Sequence, residues 1–595
     1  MKVLFYSPYA NIWAHSFPEA LIAEGLVQQG DQVTVVRCGR MLESYCVAMS
    51  AATSGATDLS PARRAQICRA CIRRRDLLDG EMPYRSLILD DLLSADDEAR
   101  ARQIVATATP ENWPGIDVGG IPIGRYAAYE YLLNHKLLGT HIPPERWAGY
   151  LDQLRQSLLV LFAAERLIAQ EQPDRVVVSN RLYSAHHTFV AVAERGGIDA
   201  YTLQGGGHVV RRGETMTMYR GTSSVAEALR SPAWRQEAEV PLDAASVDLV
   251  AEHIGGLLTG TSAFAYSSGL ESQQPADVRA KFGVRDGSPV LLVAMSSEDE
   301  LNALRLADGA PQPTNEISLF PGQFEWIDFL LEFAKRQPEL TFIIRVHPRL
   351  FPNKRDSVRS PAADLILAKL QTVPENVVLN VPDDDVSLYD LMQIVDVTLG
   401  FRTSVGVEFA SFGTPVVIPA NAEFFTYPDE INLIGHSIAE YEAKIGEALA
   451  AGWSLDHSRR AFRWLAFLFG RLAVDLSESM SSRPMAIRPT RPGLRLAVWK
   501  AMVYVVLQFG PLVIERRALR ARRFPAFARR LFRDVLLARR ENLADSPLWP
   551  ARPPSAEEEQ ALLVGYLRGL TDTIWADIDD PRSLTARIRD GLARA

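Results

Sequence analysis

Short runs of β-branched and other apolar residues alternate with helical stretches over most of this chain. Such alternation is typical of strands that pair in parallel, because each helix crosses back over the sheet, and it predicts an α/β fold. The predicted strands are residues 3–7, 32–37, 175–179, 200–203, 290–294, 341–346, 376–379, 397–399 and 415–418. The main predicted helices are residues 17–29, 144–170, 185–195, 321–337 and 404–412.

The length of the chain calls for more than one domain. At 595 residues it is too long for a single hydrophobic core. We predict one Rossmann-like domain over residues 1–257 and a second over residues 290–430. A stretch rich in Gly, Ser, Gln and Pro, residues 258–289, is typical of a linker. Residues 431–480 are predicted to form crossover helices, and residues 481–595 a helical, basic extension.

Charge and hydropathy exclude several classes of function. A formal net charge of −8 argues against a nucleic-acid-binding protein, whose surface is usually basic. The apolar run at the N-terminus is too short for a signal peptide, and no uninterrupted apolar stretch reaches the roughly 18 residues of a transmembrane helix. We therefore expect a cytoplasmic protein. The first strand is not followed by Gly-x-Gly-x-x-Gly, which disfavours a dinucleotide cofactor.

All four cysteines lie in one insertion of the first predicted domain: Cys38, Cys46, Cys68 and Cys71. In a reducing compartment such clustering favours a metal over disulfides. Cys68-x-x-Cys71 has the spacing of a metal knuckle, and the other two thiolates could complete a tetrahedral structural site. We favour zinc over an iron–sulfur cluster. The alternative is four unrelated small buried residues.

Polar side chains cluster where two strands of the second predicted domain end. They are Arg345, His347 and Arg349 after one strand and Arg402, Thr403, Ser404 and Glu408 after another. In open α/β sheets the ligand crevice lies at the carboxyl ends of the strands. Cations that hold phosphates, next to a carboxylate that holds sugar hydroxyls, predict a nucleotide mono- or diphosphate sugar as the ligand.

The stretch 404–417 is the most informative of these. Ser404 carries a hydroxyl that can cap the following helix, and Gly406 lets a ligand approach the first helical turn. Free backbone N–H groups in that turn favour a phosphate. Glu408, one turn further on, can accept hydrogen bonds from the ribose hydroxyls. The alternative is an ordinary helix cap with a surface glutamate.

This stretch resembles the nucleotide-binding helix of GT-B glycosyltransferases, which have two Rossmann-like domains facing a cleft. Together with the run Arg-Val-His-Pro-Arg at residues 345–349, it is similar to the bacterial transferases of capsule and surface polysaccharides, including Kdo transferases. The resemblance is specific in the second domain, architectural in the first, and does not extend beyond about residue 480. It implies His347 and Arg349 near the donor phosphate, Ser404 and Gly406 at the phosphate, and Glu408 at the ribose.

The resemblance also implies that the loop after the first strand faces the cleft. His15 in that loop, or Glu19 on the helix after it, is then a candidate general base for an inverting attack. Polar residues at two further strand ends of the first domain are candidate acceptor or sugar contacts: Asn180, Arg181, Gln204, Gly205 and His208. The alternative for His15 is a packing residue at a helix start.

No catalytic metal is expected. No Asp-x-Asp pair in the donor region marks a metal–diphosphate clamp, and the three aspartates at 383–385 directly precede a helix that they can cap. Arginines and helix dipoles can balance the donor's charge instead.

The C-terminal part carries a separate signal. Residues 496–514 are strongly apolar, and residues 516–540 then hold ten arginines interleaved with Phe and Leu. This pattern suits a helix in the headgroup layer of an anionic membrane, which would place the protein peripherally at the inner face of the cytoplasmic membrane. The alternative is a domain-packing or oligomerising helix with a solvated basic face.

These patterns favour a glycosyltransferase that moves a sugar from a nucleotide-sugar donor to a surface polysaccharide. Its acceptor would be a glycan or lipid-linked saccharide. Two alternatives keep the fold but change the chemistry: a nucleotide-sugar 2-epimerase and a CDP-polyol phosphotransferase. A third is a non-catalytic, membrane-bound assembly factor.

Overall fold

The structure, a computed structural model, describes residues 1–53, 59–221, 232–260, 266–308, 318–353, 357–420, 427–480, 512–544 and 554–594. Two β-sheets organise these residues. The first has seven strands and the second has six. The fold prediction, α/β with two Rossmann-like domains facing a cleft and a helical C-terminal extension, is confirmed.

The first sheet is parallel from β1 to β5 and antiparallel beyond it. Its strands are Lys2–Tyr6 (β1), Gln32–Arg37 (β2), Arg85–Ile88 (β3), Arg175–Ser179 (β4), Asp199–Gly205 (β5), Thr215–Arg220 (β6) and Val474–Asp475 (β13). Their order in the sheet is β13-β6-β5-β4-β1-β2-β3, in which β6 pairs antiparallel with β5 and β13 pairs antiparallel with β6. The associated helices are Trp13–Val27, Val47–Ala52, Pro61–Glu81, Ala95–Ala106, Ile123–His135, Pro144–Glu171, Ser184–Arg195, Pro232–Glu237 and Ala244–Leu258.

The second sheet is parallel throughout. Its strands are Val290–Ala294 (β7), Thr341–Arg345 (β8), Val377–Asn380 (β9), Val397–Gly400 (β10), Val416–Pro419 (β11) and Leu433–Gly435 (β12). Its helices are Glu298–Asp308, Gln323–Arg336, Pro361–Lys369, Leu388–Leu391 and Val405–Ala410. The chain runs outward from β7 through β8 to β9, then returns to the other side of β7 at β10. This reversal creates a switch point, where a crevice opens at the carboxyl ends of the strands.

The chain crosses back to the first domain after β12. Helices Ile438–Ala451 and Leu455–Ala466 and the π-helical turn Phe467–Arg471 lead to β13 in the first sheet. The remaining described helices are Ser477–Met480, Val513–Ala521, Ala526–Leu536, Ala556–Thr573 and Leu584–Arg594. The stretch predicted as a linker contains the helix Pro275–Lys281, whose Val278 is fully buried.

The basic segment packs against the first domain. Phe532 and Val535 are fully buried among side chains of the helix Trp13–Val27 and the sheet. Arg522 forms an ion pair with Glu24 of that helix at 2.9 Å. The described part of this segment is therefore a domain-packing helix pair, as in the alternative interpretation, while residues 496–511 lie outside the described part of the chain. None of the described helices is long and apolar enough to cross a membrane.

Some predicted boundaries moved for identifiable reasons. The first helix was predicted from residue 17, which places Pro18 in a favourable first turn, but it begins at Trp13 and includes Pro18. Stacking of Trp13 on Phe17, with ring centroids 5.0 Å apart, extends it toward β1. β6 was not predicted, because its Thr-Met-Thr-Met-Tyr pattern lacks a continuous apolar run.

Candidate functional site

A cavity of about 330 Å³ lies between the two domains, at the carboxyl ends of β7, β8 and β10. We call it the interdomain cavity. Beside apolar residues such as Met295 and Val407, the second domain contributes these polar or charged side chains to its wall: Arg345, His347, Tyr389, Thr403, Ser404 and Glu408. The first domain and the crossover segment contribute Gly207, Val209, His253, Trp464, Leu465, Leu468 and Phe469. The cavity thus has a charged side and a largely apolar side, and its volume is in the range of small-ligand sites.

Glu408 lies on the charged side of this cavity. Its Oε2 accepts a hydrogen bond from the Tyr389 hydroxyl at 3.1 Å, and its Oε1 accepts one from the Ser404 hydroxyl at 3.2 Å. Burial raises the pKa of Glu408 to about 7, although both hydrogen bonds and Arg345 oppose this shift. The carboxylate is therefore held in a fixed orientation, and each oxygen keeps a lone pair for a further donor.

Arg345, the last residue of β8, and His347, two residues further on, lie across the cavity from Glu408. The backbone N–H of Arg349 donates to His347 Nδ1 at 3.2 Å, so the neutral ring carries its proton on Nε2. Burial, reinforced by Arg349, lowers the pKa of His347 to about 4, which keeps the ring neutral at physiological pH. Burial also lowers the pKa of Arg345 to about 10, yet leaves the guanidinium charged. The site thus has one neutral N–H donor and one buried cation, whose Nη1 already donates to the Asn380 side chain and to the Val386 carbonyl oxygen.

Three of the predicted donor residues do not belong to the described wall of the cavity: Arg349, Arg402 and Gly406. Arg349 is ion-paired with Asp299 at 3.0 Å and donates to the Leu133 carbonyl of the first domain at 2.8 Å. A side chain at Gly406 would collide with the hydroxyl of Tyr427. The glycine is therefore required by protein packing, whereas the sequence suggested a ligand.

The start of the helix Val405–Ala410 also differs from the prediction. Ser404 makes no capping hydrogen bond, because its hydroxyl is directed to Glu408. The Thr403 hydroxyl instead accepts from the Val405 backbone N–H at 3.4 Å. Arg402, just before it, has a left-handed backbone with φ of 53°, which turns the chain sharply between β10 and this helix.

The two candidate bases of the first domain have different surroundings. Glu19 is buried, and its carboxylate accepts hydrogen bonds from the hydroxyls of Ser7 and Ser179. Ser7 directly follows β1, and Ser179 is the last residue of β4. This position suits holding two strand ends together. Burial lowers the pKa of His15 to about 4, and the positive charge of Arg212 adds to this shift, so the ring is neutral. Nδ1 of His15 is buried and has no hydrogen-bond partner among the described residues, in contrast to the engaged carboxylate of Glu19.

The predicted acceptor residues are mostly engaged within the first domain. Arg181 forms a two-point ion pair with Glu194, at 2.5 and 2.6 Å. Gln204 accepts a hydrogen bond from the Tyr219 hydroxyl at 2.8 Å. Asn180 has a left-handed φ of 50°, and its side chain accepts from the Leu182 backbone N–H at 3.3 Å.

The glycine-rich loop after β5 serves mainly to pack against its neighbours. A Cβ on Gly205 would lie 2.7 Å from the Arg212 carbonyl oxygen. The buried ring of His208 contacts the Leu249 carbonyl through Nε2 at 2.9 Å and accepts from the Arg211 backbone N–H at 3.1 Å. Within this loop it is the neighbouring Gly207 that reaches the interdomain cavity.

Sequence reasoning missed Tyr389 and interpreted Glu130 as a residue of a solvated helix face, yet the pKa of each is strongly raised. Tyr389 lies on the short helix Leu388–Leu391 and orients Glu408. The start of this helix was detectable in the sequence, because Ser387 is followed three residues later by Asp390, the spacing of a helix cap. Glu130 is buried and accepts from the backbone and side chain of Ser184, at the start of another helix. Burial raises the pKa of Glu130 to about 7. No sequence signal distinguishes Glu130 from a residue on a solvated helix face.

The four cysteines are free thiols and line one small cavity, apart from the interdomain cavity. Burial raises the pKa of each thiol, which keeps them protonated in this structure. Across the described ranges, no group of three or more His, Cys, Asp or Glu side chains is arranged to hold a metal ion. The metal site therefore stays a prediction.

Comparison with solved structures returns UDP-GlcNAc 2-epimerases and glycosyltransferases. The UDP-GlcNAc 2-epimerase of Neisseria meningitidis, bound to UDP-GlcNAc, is 12% identical, with 78% of this chain and 96% of that chain covered and a TM-score of 0.22. KpsC of Thermosulfurimonas dismutans, a beta Kdo 2,7 transferase, is 12% identical, with 52% and 81% covered and a TM-score of 0.28. The Streptomyces sp. SF2575 glycosyltransferase SsfS6, complexed with thymidine diphosphate, is 11% identical, with 78% and 95% covered and a TM-score of 0.21.

The matched structures include glycosyltransferases, the group that the sequence resembles. Comparisons with protein families and with curated proteins find no match. At these identities and TM-scores, the fold rests on the sheet topology described above, and the function must be argued from the interdomain cavity.

Proposed function

We propose that this chain is a glycosyltransferase that binds a nucleotide-sugar donor in the interdomain cavity. The observation that carries the proposal is the placement of Glu408 opposite Arg345 and His347, on the two sides of β7. A fixed carboxylate at one side and a cation with an N–H donor at the other match a ribose and a phosphate. Their position at the switch point of a parallel sheet is where nucleotides bind in such folds.

Each part of a nucleotide-sugar donor has matching residues in the interdomain cavity. Glu408 can accept from both ribose hydroxyls, since its two oxygens are already oriented by Tyr389 and Ser404. Arg345 and the Nε2–H of His347 can bind phosphate oxygens. The apolar side of the cavity, which includes Leu465 and Phe469, offers a surface for a flat base.

The proposed reaction needs three events. An acceptor hydroxyl oxygen forms a bond to the anomeric carbon of the sugar, while the bond from that carbon to the phosphate oxygen breaks. The nucleotide leaves with the bonding electrons, and Arg345 and His347 offset the charge that develops on it. The acceptor proton passes to a base, for which His15 is our candidate. His15 does not belong to the described wall of the cavity, so closure of the domains would bring it to the acceptor.

The acceptor is proposed to be a lipid-linked saccharide at an anionic membrane surface. Since the apolar side of the segment 516–540 is buried, the available surface is its basic face. The arginines exposed there are Arg516, Arg517, Arg520, Arg523, Arg530 and Arg539. Phe527, 39% exposed, lies among them. Several cations around one exposed aromatic ring suit contact with anionic headgroups.

The test begins with binding. Thermal shift and calorimetry of the purified chain with CMP, UDP, GDP and CDP should identify one preferred nucleotide, because a ligand of the folded state raises its melting temperature. Glu408→Ala should weaken that binding about 10- to 100-fold, the loss expected for hydrogen bonds to a charged group. The control is Glu375→Ala, which removes an exposed carboxylate of the same domain.

Product analysis then separates the alternatives. Transfer yields a free nucleotide and a glycosylated acceptor, whereas an epimerase leaves the sugar bound to its nucleotide. A CDP-polyol phosphotransferase releases CMP, and an assembly factor turns over none of these donors. Absence of both nucleotide binding and donor turnover in the wild-type chain would reject the proposal.

A further inference from the structure

Four thiols from three separate elements surround one small cavity in the first domain. Cys38 follows β2, and Cys46 precedes the helix Val47–Ala52. Cys68 and Cys71 lie one turn apart on the helix Pro61–Glu81, so they share a face of it. The enclosed volume is about 20 Å³, room for one small ligand of about the size of a water molecule.

We propose that these four cysteines bind one structural zinc ion, which fixes the loop after β1. Zinc favours four thiolates in a tetrahedral arrangement, and the volume suits a single ion better than a cluster. The thiols line the cavity without forming a ligand group in this structure. Binding therefore requires each side chain to turn toward the centre of the cavity and to lose its proton to solvent.

The weak packing of the long helix supports this proposal. Over its 21 residues, the helix Pro61–Glu81 has only Ile67 and Leu78 as buried residues. So little buried apolar surface is a weak restraint on a helix of this length. Bonds from Cys68 and Cys71 to an ion shared with Cys38 would attach the helix to the sheet, which is how small metal sites replace a hydrophobic core.

Four arginines act on the thiols of the cavity, and three of them, Arg37, Arg40 and Arg74, are also ion-paired with carboxylates. Four thiolates on a divalent cation carry net negative charge, which must be offset in a partly buried position. The guanidinium groups of Arg40 and Arg69 act electrostatically on Cys68. Those of Arg37 and Arg74 act on Cys71.

A hydrogen-bonded support already holds the loop that follows Cys38. The Asp90 carboxylate accepts from the backbone N–H groups of Gly39, Arg40 and Met41, at 2.7, 2.6 and 2.6 Å. Outer groups of this kind orient the ligands of metal sites. Rotation of the Cys38 side chain would then require little change in its backbone.

The same site contacts the loop that leads to the helix carrying His15. Pro8 and Tyr9 of this loop line the cavity, and Cys71 Sγ lies 3.9 Å from the Pro8 carbonyl oxygen. One turn further along the helix, Arg74 donates to the Asn11 side chain at 2.6 Å. A metal that anchors this helix therefore also anchors the loop leading to the proposed base.

The experiment measures metal and thiols on the full-length wild-type chain. Elemental analysis of protein purified without chelator, or reloaded with zinc and freed of excess metal, should find about one zinc per chain. Since the chain has four cysteines in total, a thiol reagent reports on this site alone. All four thiols should be protected with zinc and become reactive after its removal.

Variants locate the site. Cys46→Ser and Cys71→Ser should each lower the zinc content several-fold, whereas Ile72→Val, which alters a non-sulfur residue of the same cavity, should leave it unchanged. No zinc uptake by the wild-type chain, or equal thiol reactivity with and without zinc, would overturn the proposal. A bound iron–sulfur cluster would overturn it as well. These readouts do not depend on transferase activity, so they test the metal separately from the proposed function.

Discussion

Replacing Glu408 by glutamine should stabilise the free protein and weaken its binding of nucleotide. Burial raises the pKa of Glu408 from an ordinary 4.5 to about 7. At a pH above 7 the folded protein must therefore carry a buried charge that the unfolded chain holds in water. Glutamine has the same shape and can still accept the Tyr389 hydrogen bond, but it never ionises.

The magnitude follows from the shift. A tenfold change in proton affinity corresponds to about 1.4 kcal/mol, so the full shift costs the folded state about 3 kcal/mol. Because Glu408 is only half-buried, solvent screening reduces this to about 2 kcal/mol. The free energy of unfolding depends on pH, because the folded state binds the Glu408 proton more tightly than the unfolded chain does. It falls as pH rises from 4.5 to 7 and then stays constant.

The assay is urea unfolding of wild type and Glu408→Gln at about pH 5 and about pH 8. The variant should gain about 2 kcal/mol relative to wild type between these conditions. Glu375→Gln, at an exposed position, should show no such gain. If the difference between Glu408→Gln and wild type is the same at both pH values, the buried-charge argument is wrong.

The same substitution should weaken nucleotide binding, although it stabilises the free protein. Ribose hydroxyls that donate to the carboxylate favour its ionised form, so binding to wild type below pH 7 should release a proton, which calorimetry in buffers of different ionisation enthalpy detects. The glutamine variant should bind more weakly and release none at this site. Tight binding with unchanged proton release would place the ribose elsewhere.

Three further predictions test other parts of the molecule. His15→Gln should lower the rate of sugar transfer about 100-fold or more while leaving the nucleotide dissociation constant unchanged, as kinetics and calorimetry can show. Arg349→Met leaves the buried carboxylate of Asp299 without its ion-pair partner and should lower the free energy of unfolding in urea by about 3–5 kcal/mol. The control is Arg336→Met, which breaks an exposed ion pair and should lower it by less than about 1 kcal/mol. Arg516→Glu combined with Arg520→Glu should reduce co-sedimentation with anionic vesicles, and equal binding to neutral vesicles would contradict the proposed role of the basic face.

The part of the site predicted from sequence is the part set by local structure. Arg345 ends β8, His347 follows it, and Glu408 lies in the first turn of the helix after β10. Strand and helix patterns alone therefore place them at one edge of a parallel sheet. Their partners come from distant segments and were not predicted. The role of Gly406, for example, depends on Tyr427, which belongs to a different loop.

The first domain was harder to predict because its polar residues are satisfied by long-range contacts. Glu19 was a candidate base on the strength of its position after β1, yet the hydroxyls of Ser7 and Ser179 converge on it only once β1 and β4 pair. Sequence patterns locate strand ends, but they do not say whether a polar side chain there turns inward or outward. The fold class was therefore predicted more completely than the acceptor side.

The loop that carries His347 is held by both domains, which limits how the cleft can close. Lys136, a fully buried residue of the first domain, donates through Nζ to the carbonyl oxygens of Arg349, Phe351 and Val358. The Arg349 side chain returns a hydrogen bond to Leu133. Breaking this contact would leave a buried charge without partners, so it should persist during domain motion. The closure proposed above would then pivot about Lys136 and move the opposite rim, where the first-domain residue Gly207 lines the cavity. For the same reason, the position of His347 depends on the first domain, and an isolated second domain would not retain it.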